Sequence, residues 1–226
     1  MDVVNGSGDL PMDLSTDFAW DTYSAMLPSV DFVFMGIDCK TFSRARQNPH
    51  GPPPLRSLEF PYGFPNSQLG KSDAEKLRLG NYFAIQSAKL ASRCLSVGVG
   101  FAIENPEPWD TEAPSLWLLD EFVQLAADPR VQTVDFDQCM WDSETKKPTR
   151  VMFFKVNLLF LGVRCSHPSQ SWHFFDKSGA PASSWGPHPP LINRSRDGAF
   201  ATAAAAAYPS ALNRAFSEAI SVAHRH

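Results

Sequence analysis

Cys39 stands in the segment Asp38-Cys39-Lys40-Thr41-Phe42-Ser43-Arg44-Ala45-Arg46, directly after the apolar run from Val30 to Ile37. Glu104 and Asn105 follow a second apolar run, Val97 to Ile103, in the string Ile103-Glu104-Asn105-Pro106. An ionised thiol is a strong nucleophile and a carboxyl group can hold or pass a proton. Together they suit covalent catalysis coupled to proton transfer. Lys40, Arg44 and Arg46 are placed to favour the thiolate, whereas Asp38 opposes it. Each residue also has a plainer reading. Cys39 alone reads as a buried structural cysteine, Glu104 as a turn cap, and Arg150 as a charge on a strand edge.

The elements that position these groups alternate between strand and helix. Both apolar runs read as buried strands, Val30 to Ile37 and Gly100 to Glu104, each delivering side chains at its C-terminal end, where open α/β sheets keep their sites. Asp17 to Leu27 has helical spacing and stops at Pro28. Residues 44–72, with Pro49, Pro52, Pro53, Pro54, Pro61 and Pro65, form a long loop, the kind that serves as a lid. Ser72 or Asp73 caps a helix running to about Ser96, whose apolar side carries Leu77, Ala84, Ala88, Ala91 and Leu95. A second helix is expected over Pro114 to Ala127, and strands over Val131 to Phe136 and Val151 to Val156. Residues 164–198 lose periodicity. A last helix follows Tyr208-Pro209, with Leu212, Phe216, Ala219, Ile220 and Ala223 turned to the sheet.

With 43% hydrophobic and 19% charged residues, the composition is that of an ordinary globular chain, and no apolar run approaches a membrane span. The N-terminus has no basic flank or apolar h-region, so no signal peptide is expected. Cys39, Cys94, Cys139 and Cys165 form no C-x-x-C pair, which favours reduced thiols and an intracellular location, nucleus or cytoplasm. Cys165, His167, His173 and His188 match no standard zinc spacing, so no metal is expected. A net charge of −4 argues against bulk attraction to nucleic acid. Its distribution is uneven, however. Residues 1–31 carry six acids and no base, while Lys40, Arg44, Arg46 and Arg56, and then Lys146, Lys147 and Arg150, form basic edges able to grip phosphates.

Cys39-Lys40-Thr41-Phe42-Ser43 resembles the Pro-Cys-Gln-x-Phe-Ser element of the C5-cytosine DNA methyltransferases, and Ile103-Glu104-Asn105-Pro106 resembles their Glu-Asn-Val element. Arg78, Gly80, Asn81 and Phe83 are similar to the family's D-x-R-G-x-L-F helix start. Lys147-Pro148-Thr149-Arg150-Val151 is similar to its Q-x-R-x-R-V-F segment, and Met12-Asp13-Leu14 sits where the family has Gly-Asp-Ile. The string through Arg46, with Gly51-Pro52 and Pro54-Leu55-Arg56-Ser57, looks closest to a divergent branch in phages and in retroelement-associated genes of some algae. The resemblance covers residues 9–156.

The resemblance implies an α/β, Rossmann-like S-adenosylmethionine-dependent methyltransferase core that methylates cytosine C5 in DNA, or RNA, through a cysteine–C6 intermediate. Cys39 is then the nucleophile, Glu104 bonds or protonates N3, and Arg150 holds O2. Phe42, Ser43, Arg44, Arg46 and Asn105 are then substrate-binding, and Asp13 meets the cofactor adenine. The target base must flip out of a duplex, and the loop from Arg44 to Gly70 closes over it.

Three departures accompany the matches. The glycine-rich Phe-x-Gly-x-Gly loop and the strand before it are missing, Asp38 replaces the proline before the nucleophile, and Pro106 replaces valine. The expected organisation is an incomplete core over residues 1–160, a small irregular lobe over 161–198 standing for a reduced target-recognition region, and a helix over 199–226 packing back on the core. A second reading follows from the departures: a degenerate, non-catalytic relic that binds nucleic acid or a partner protein.

Overall fold

The computed structural model describes residues 13–43, 46, 52–65, 68–108, 113–167, 174–175, 181–182, 188 and 207–223. Its centre is a four-stranded mixed sheet. Strand β1 (Phe32–Gly36) pairs in parallel with β2 (Gly100–Pro106), β2 pairs antiparallel with β4 (Pro148–Phe154), and β4 antiparallel with β3 (Gln132–Asp137), giving the order β1-β2-β4-β3. A two-residue ladder, β5 (Phe174–Phe175) with β6 (Pro181–Ala182), stands apart from it.

Helices cover both faces of the sheet. Helix α1 (Asp17–Met26) runs into a 3-10 turn at Leu27–Ser29, with Pro28 inside that turn. Helix α2 (Lys71–Val97) is the long crossover that a parallel β1–β2 pair demands. It buries Leu77, Gly80, Ala84, Ser87, Ala88, Ala91, Cys94 and Leu95, one stripe of mostly small residues that lets the helix lie close to its neighbours. It ends at Gly98, whose φ of 75° suits glycine and whose N–H returns to the Cys94 carbonyl. Its start differs from expectation: Gly70 is the N-cap, and Asp73 lies inside the first turn, bonded to Lys76.

The helix expected over Pro114 to Ala127 is broken in two. Ser115 accepts the N–H of Trp117 and caps a 3-10 turn at Leu116–Leu118. Leu119 is then extended, and α3 (Asp120–Ala126) begins after it. Helix α4 (Ser210–Ala223) sits on the other face, with Leu212, Ala215 and Phe216 buried.

The strand pleat sorts the core into two clusters. Phe101, Ile103, Met152 and Phe154 join the α2–α3 side, and Ala102, Val134, Phe136, Val151 and Phe153 join the α4 side. Successive strand residues point to opposite faces, and two-sided burial is why β2 reads as one apolar run. The result is an α/β architecture with a mixed sheet between helical layers. No helix among the described residues is long and apolar enough to cross a membrane.

Candidate functional site

Because β1 and β2 are parallel and in register, with Gly36 opposite Glu104, their C-terminal ends meet at one edge. Cys39 lies three residues beyond Gly36, at the start of a turn closed by the Phe42 N–H on the Cys39 carbonyl at 2.9 Å. Asp38 accepts the Lys40 N–H at 3.0 Å and pairs with the exposed Lys40 ammonium at 3.4 Å. Asn105, buried on the opposite face of β2 from Glu104, donates to the Ile37 carbonyl at 2.9 Å. That bond ties the end of β2 to the backbone two residues before Cys39, so Asn105 positions the cysteine turn.

Glu104 is only 5% exposed. Its Oε2 accepts the hydroxyl of Tyr208 at 2.6 Å, and the Lys147 ammonium stands 3.9 Å from Oε1. Oε1 is buried and has no hydrogen-bond partner. A buried carboxylate oxygen without a donor costs free energy, so Oε1 is free to receive a donor from a ligand. Tyr208 reaches Glu104 only because residue 36 is glycine: a Cβ there would lie 2.9 Å from the Tyr208 hydroxyl. Lys147 adopts φ 36°, a conformation rare for residues with a side chain, and its ammonium also stands 5.3 Å from the centre of the Tyr208 ring.

Burial pushes the Glu104 carboxyl above its ordinary range, against the pull of Lys147 and Tyr208. Burial and the Glu104 charge push the Cys39 thiol up, Lys147 draws it down, and Asp38 adds a smaller upward push. The Tyr208 hydroxyl is raised well above its ordinary value, first by burial and then by Glu104. The four groups form one electrostatic unit. As it stands, it holds the carboxyl towards its protonated form and the thiol towards SH.

The other expected site residues fall elsewhere. Arg150 does not join Cys39 and Glu104. It pairs with Asn105 across β2–β4, one position out of phase with Glu104, and so faces the α2–α3 side. There its guanidinium grips Asp135 with two bonds, at 2.6 and 2.7 Å. Arg46 is buried, not presented to substrate: it donates to the Lys40 carbonyl at 2.7 Å and the Pro53 carbonyl at 2.8 Å, closing the loop on itself. Phe42 is in the core under Arg56, whose guanidinium carbon lies 3.9 Å above the ring. Ser43 is half-buried, and Arg44 lies outside the described residues. Asp13 is exposed, and its carboxylate accepts the Ser15 N–H at 2.9 Å in the turn leading to α1.

The residues similar to the family's helix start hold this loop. Arg56, 1% exposed, donates to the Pro61 carbonyl, Asn81 Oδ1 and Thr41 Oγ1. Asn81 in turn donates to the Tyr62 carbonyl at 2.7 Å. A Cβ on Gly80 would stand 2.7 Å from Thr41 Oγ1. Arg78 makes an exposed pair with Glu75. The part of the proline-rich segment described here is therefore pinned to α2 at its Arg56 end.

Two functional neighbours, Tyr208 and Lys147, were missed in the sequence. Lys147 belonged to a recognised basic cluster, but which of its members turns inward is set by the backbone at the head of β4. Tyr208 had no signal beyond preceding a proline and a helix. The structure also gathers ligand-type side chains that sequence spacing discounted: Cys139, Cys165, His167 and His188 bring their ligand atoms within 4.8 Å of one another. His173 lies outside the described residues.

No protein-family model matches the chain, and neither a curated protein nor a solved structure does.

Proposed function

We propose that the Cys39–Glu104 site takes a flipped-out cytosine of DNA and activates its C5 by thiol addition at C6, the base-activating half of cytosine-5 methyl transfer. The observation that carries this reading is the buried, unpartnered Oε1 of Glu104 beside a partly accessible Cys39, delivered by two adjacent parallel strands. The Cys39 thiolate donates an electron pair to C6. The ring electrons shift through C5 and C4 to N3, and N3 takes the proton that Glu104 holds. The product is an enamine whose C5 is nucleophilic. A carboxyl raised by burial is suited to that donation near neutral pH. Lys147, which favours the thiolate, supplies the opposing bias that the nucleophile needs.

S-adenosylmethionine is the methyl donor this reading implies, and the described residues do not fit it. No strand among them leads into a glycine-rich turn, and the Asp13 carboxylate is engaged by its own turn. The chemistry assigned to this chain therefore ends at base activation. One observation favours the second reading, a non-catalytic module that binds nucleic acid or a partner protein: burial and Glu104 bias Cys39 towards the inert thiol.

Base activation has a readout that needs no methyl donor. An enamine exchanges the hydrogen at C5 with solvent, so DNA carrying deuterium at cytosine C5 should lose it in the presence of the chain. Cys39→Ser and Glu104→Gln should each abolish the loss. If the folded wild-type chain binds the DNA without releasing deuterium, the catalytic reading fails and the binding reading stands.

A further inference from the structure

We infer that Cys139, Cys165, His167 and His188 form a structural zinc site that staples the chain after β4 to the sheet. The four residues come from three separate places. Cys139 is buried in the 3-10 turn Gln138–Trp141 that follows β3. Cys165 and His167 follow the turn at Leu159–Leu161, and His188 returns from 23 positions beyond Cys165. Nothing in the local spacing brings them together; the fold does.

Two edges of the cluster already match those of a tetrahedral ligand set. With zinc–sulfur near 2.3 Å and zinc–nitrogen near 2.0–2.1 Å, a tetrahedral site has sulfur-to-nitrogen edges of about 3.5 Å. Cys165 Sγ stands 3.5 Å from His167 Nδ1 and 3.4 Å from His188 Nε2. All four ligand atoms lie within 4.8 Å of one another, so the widest edge closes by about 1.5 Å or less when a metal draws them in. The two imidazoles are edge-on, at 89°, and are not stacked on one another.

The surroundings prepare the ligands as well. His188 Nδ1 lies 2.9 Å from the Glu144 carbonyl, an acceptor only. Nδ1 therefore carries the proton and donates it there, leaving the Nε2 lone pair for the metal, the usual outer partner of a metal-bound histidine. The Cys165 N–H donates to Asp137 Oδ2 at 2.8 Å, fixing that cysteine against the end of β3. Between His167 and His188 lies the two-residue ladder of β5 and β6, too short to hold itself together. A cross-link holds such a ladder in place, and four protein ligands with no open position make a structural, not a catalytic, zinc.

The site also bears on Lys147. The Gln138 and Cys139 N–H groups donate to the Lys147 and Lys146 carbonyls, at 3.3 and 3.4 Å. The turn that holds Cys139 thus shares its hydrogen bonds with the residue whose ammonium faces Glu104.

The test is metal content and cobalt spectroscopy on the full chain purified under reducing conditions. One zinc per chain is expected. Cobalt exchanged into the site should give the intense ligand-field bands of a tetrahedral ion, together with thiolate-to-metal charge transfer. Cys139→Ser and His188→Ala should each lower metal affinity at least about tenfold, with the release of thiol protons on binding roughly halved in the cysteine variant. His173→Ala should retain full metal content, and its folding provides the control if the ligand variants are poorly soluble. A folded wild-type chain that takes up neither zinc nor cobalt overturns the inference, as does a Cys139–Cys165 disulfide in freshly prepared protein. Loss of metal in the His173 variant would show that the ligand set is wrong.

Discussion

Replacing Tyr208 by phenylalanine removes one oxygen and leaves the ring edge-on to Phe34, 5.8 Å between centroids. It deletes the one hydrogen bond that the Glu104 carboxylate accepts among the described residues, at 2.6 Å, and leaves Oε2 as bare as Oε1 already is. A hydrogen bond to a charged group contributes about 1.5–3 kcal/mol. The expected loss is therefore about 2 kcal/mol at a pH where Glu104 is ionised, or a fall in Tm of about 4–8 °C for a chain of this size. The loss should depend on pH in a set direction. Burial raises the Glu104 carboxyl and Tyr208 holds it down. A carboxyl raised on folding favours the folded chain while protonated, and that advantage fades as pH climbs from the ordinary carboxylate range through the raised value. Without Tyr208 the value moves higher still. The two proteins should then be nearly alike at acidic pH, where Glu104 is protonated in both, and diverge as pH rises. Tyr82 is the control, since its hydroxyl donates to Asp17 over the same 2.6 Å but at the surface. Tyr82→Phe should change stability little. Urea unfolding followed by tryptophan fluorescence, at one mildly acidic and one mildly alkaline pH, measures all three chains. Equal losses in the two tyrosine variants, or a Tyr208→Phe loss indifferent to pH, would refute the reasoning.

Gly80→Ala gains roughly 1 kcal/mol of helix propensity, yet its Cβ would meet Thr41 Oγ1 at 2.7 Å and Arg56 Nη2 at 3.4 Å. Overpacking of about 1–3 kcal/mol should win, lowering the denaturation midpoint and opening the 52–65 segment to limited proteolysis; a more stable variant would refute the close packing. Lys147→Met removes the cation that draws the Cys39 thiol down. The pH profile of Cys39 alkylation should therefore move to higher pH, and an unmoved profile would mean that Lys147 does not act on Cys39.

Much of the scaffold was legible because burial on two faces writes itself as an uninterrupted apolar run, as in β2; β1 carries such a run too, although it lies at the sheet edge with only Met35 of its five residues buried. Helix α2 was legible from its stripe of small residues. Its first residue was not, because Ser72 and Asp73 are good caps by type while the backbone turns extended two residues earlier, at Gly70. Leu116 to Leu119 reads as helix by composition, but Ser115 satisfies a donor locally and favours a tight turn. The site was half legible. Cys39 and Glu104 stood out because each comes at the C-terminal end of an apolar run. The fate of Arg150 was hidden because strand register, not residue type, decides which face a side chain takes. The cysteine–histidine cluster was hidden because its members are assembled by tertiary contact, with one ligand donated from beyond β3.

The alternation of Glu104 and Asn105 along β2 constrains how this chain can change. One residue turns a carboxyl to the Tyr208 side, and the next turns an amide to the opposite face to anchor Ile37. Insertion or deletion of a single residue in β2 would exchange the two assignments, stranding the carboxylate in the α2–α3 core and freeing the cysteine turn from its anchor. A change of two residues would restore the faces and merely slide the strand. The pleat therefore imposes a reading frame of its own on this stretch, with a period of two. Length variants of the chain should respect it in β2 and be free of it in the connections.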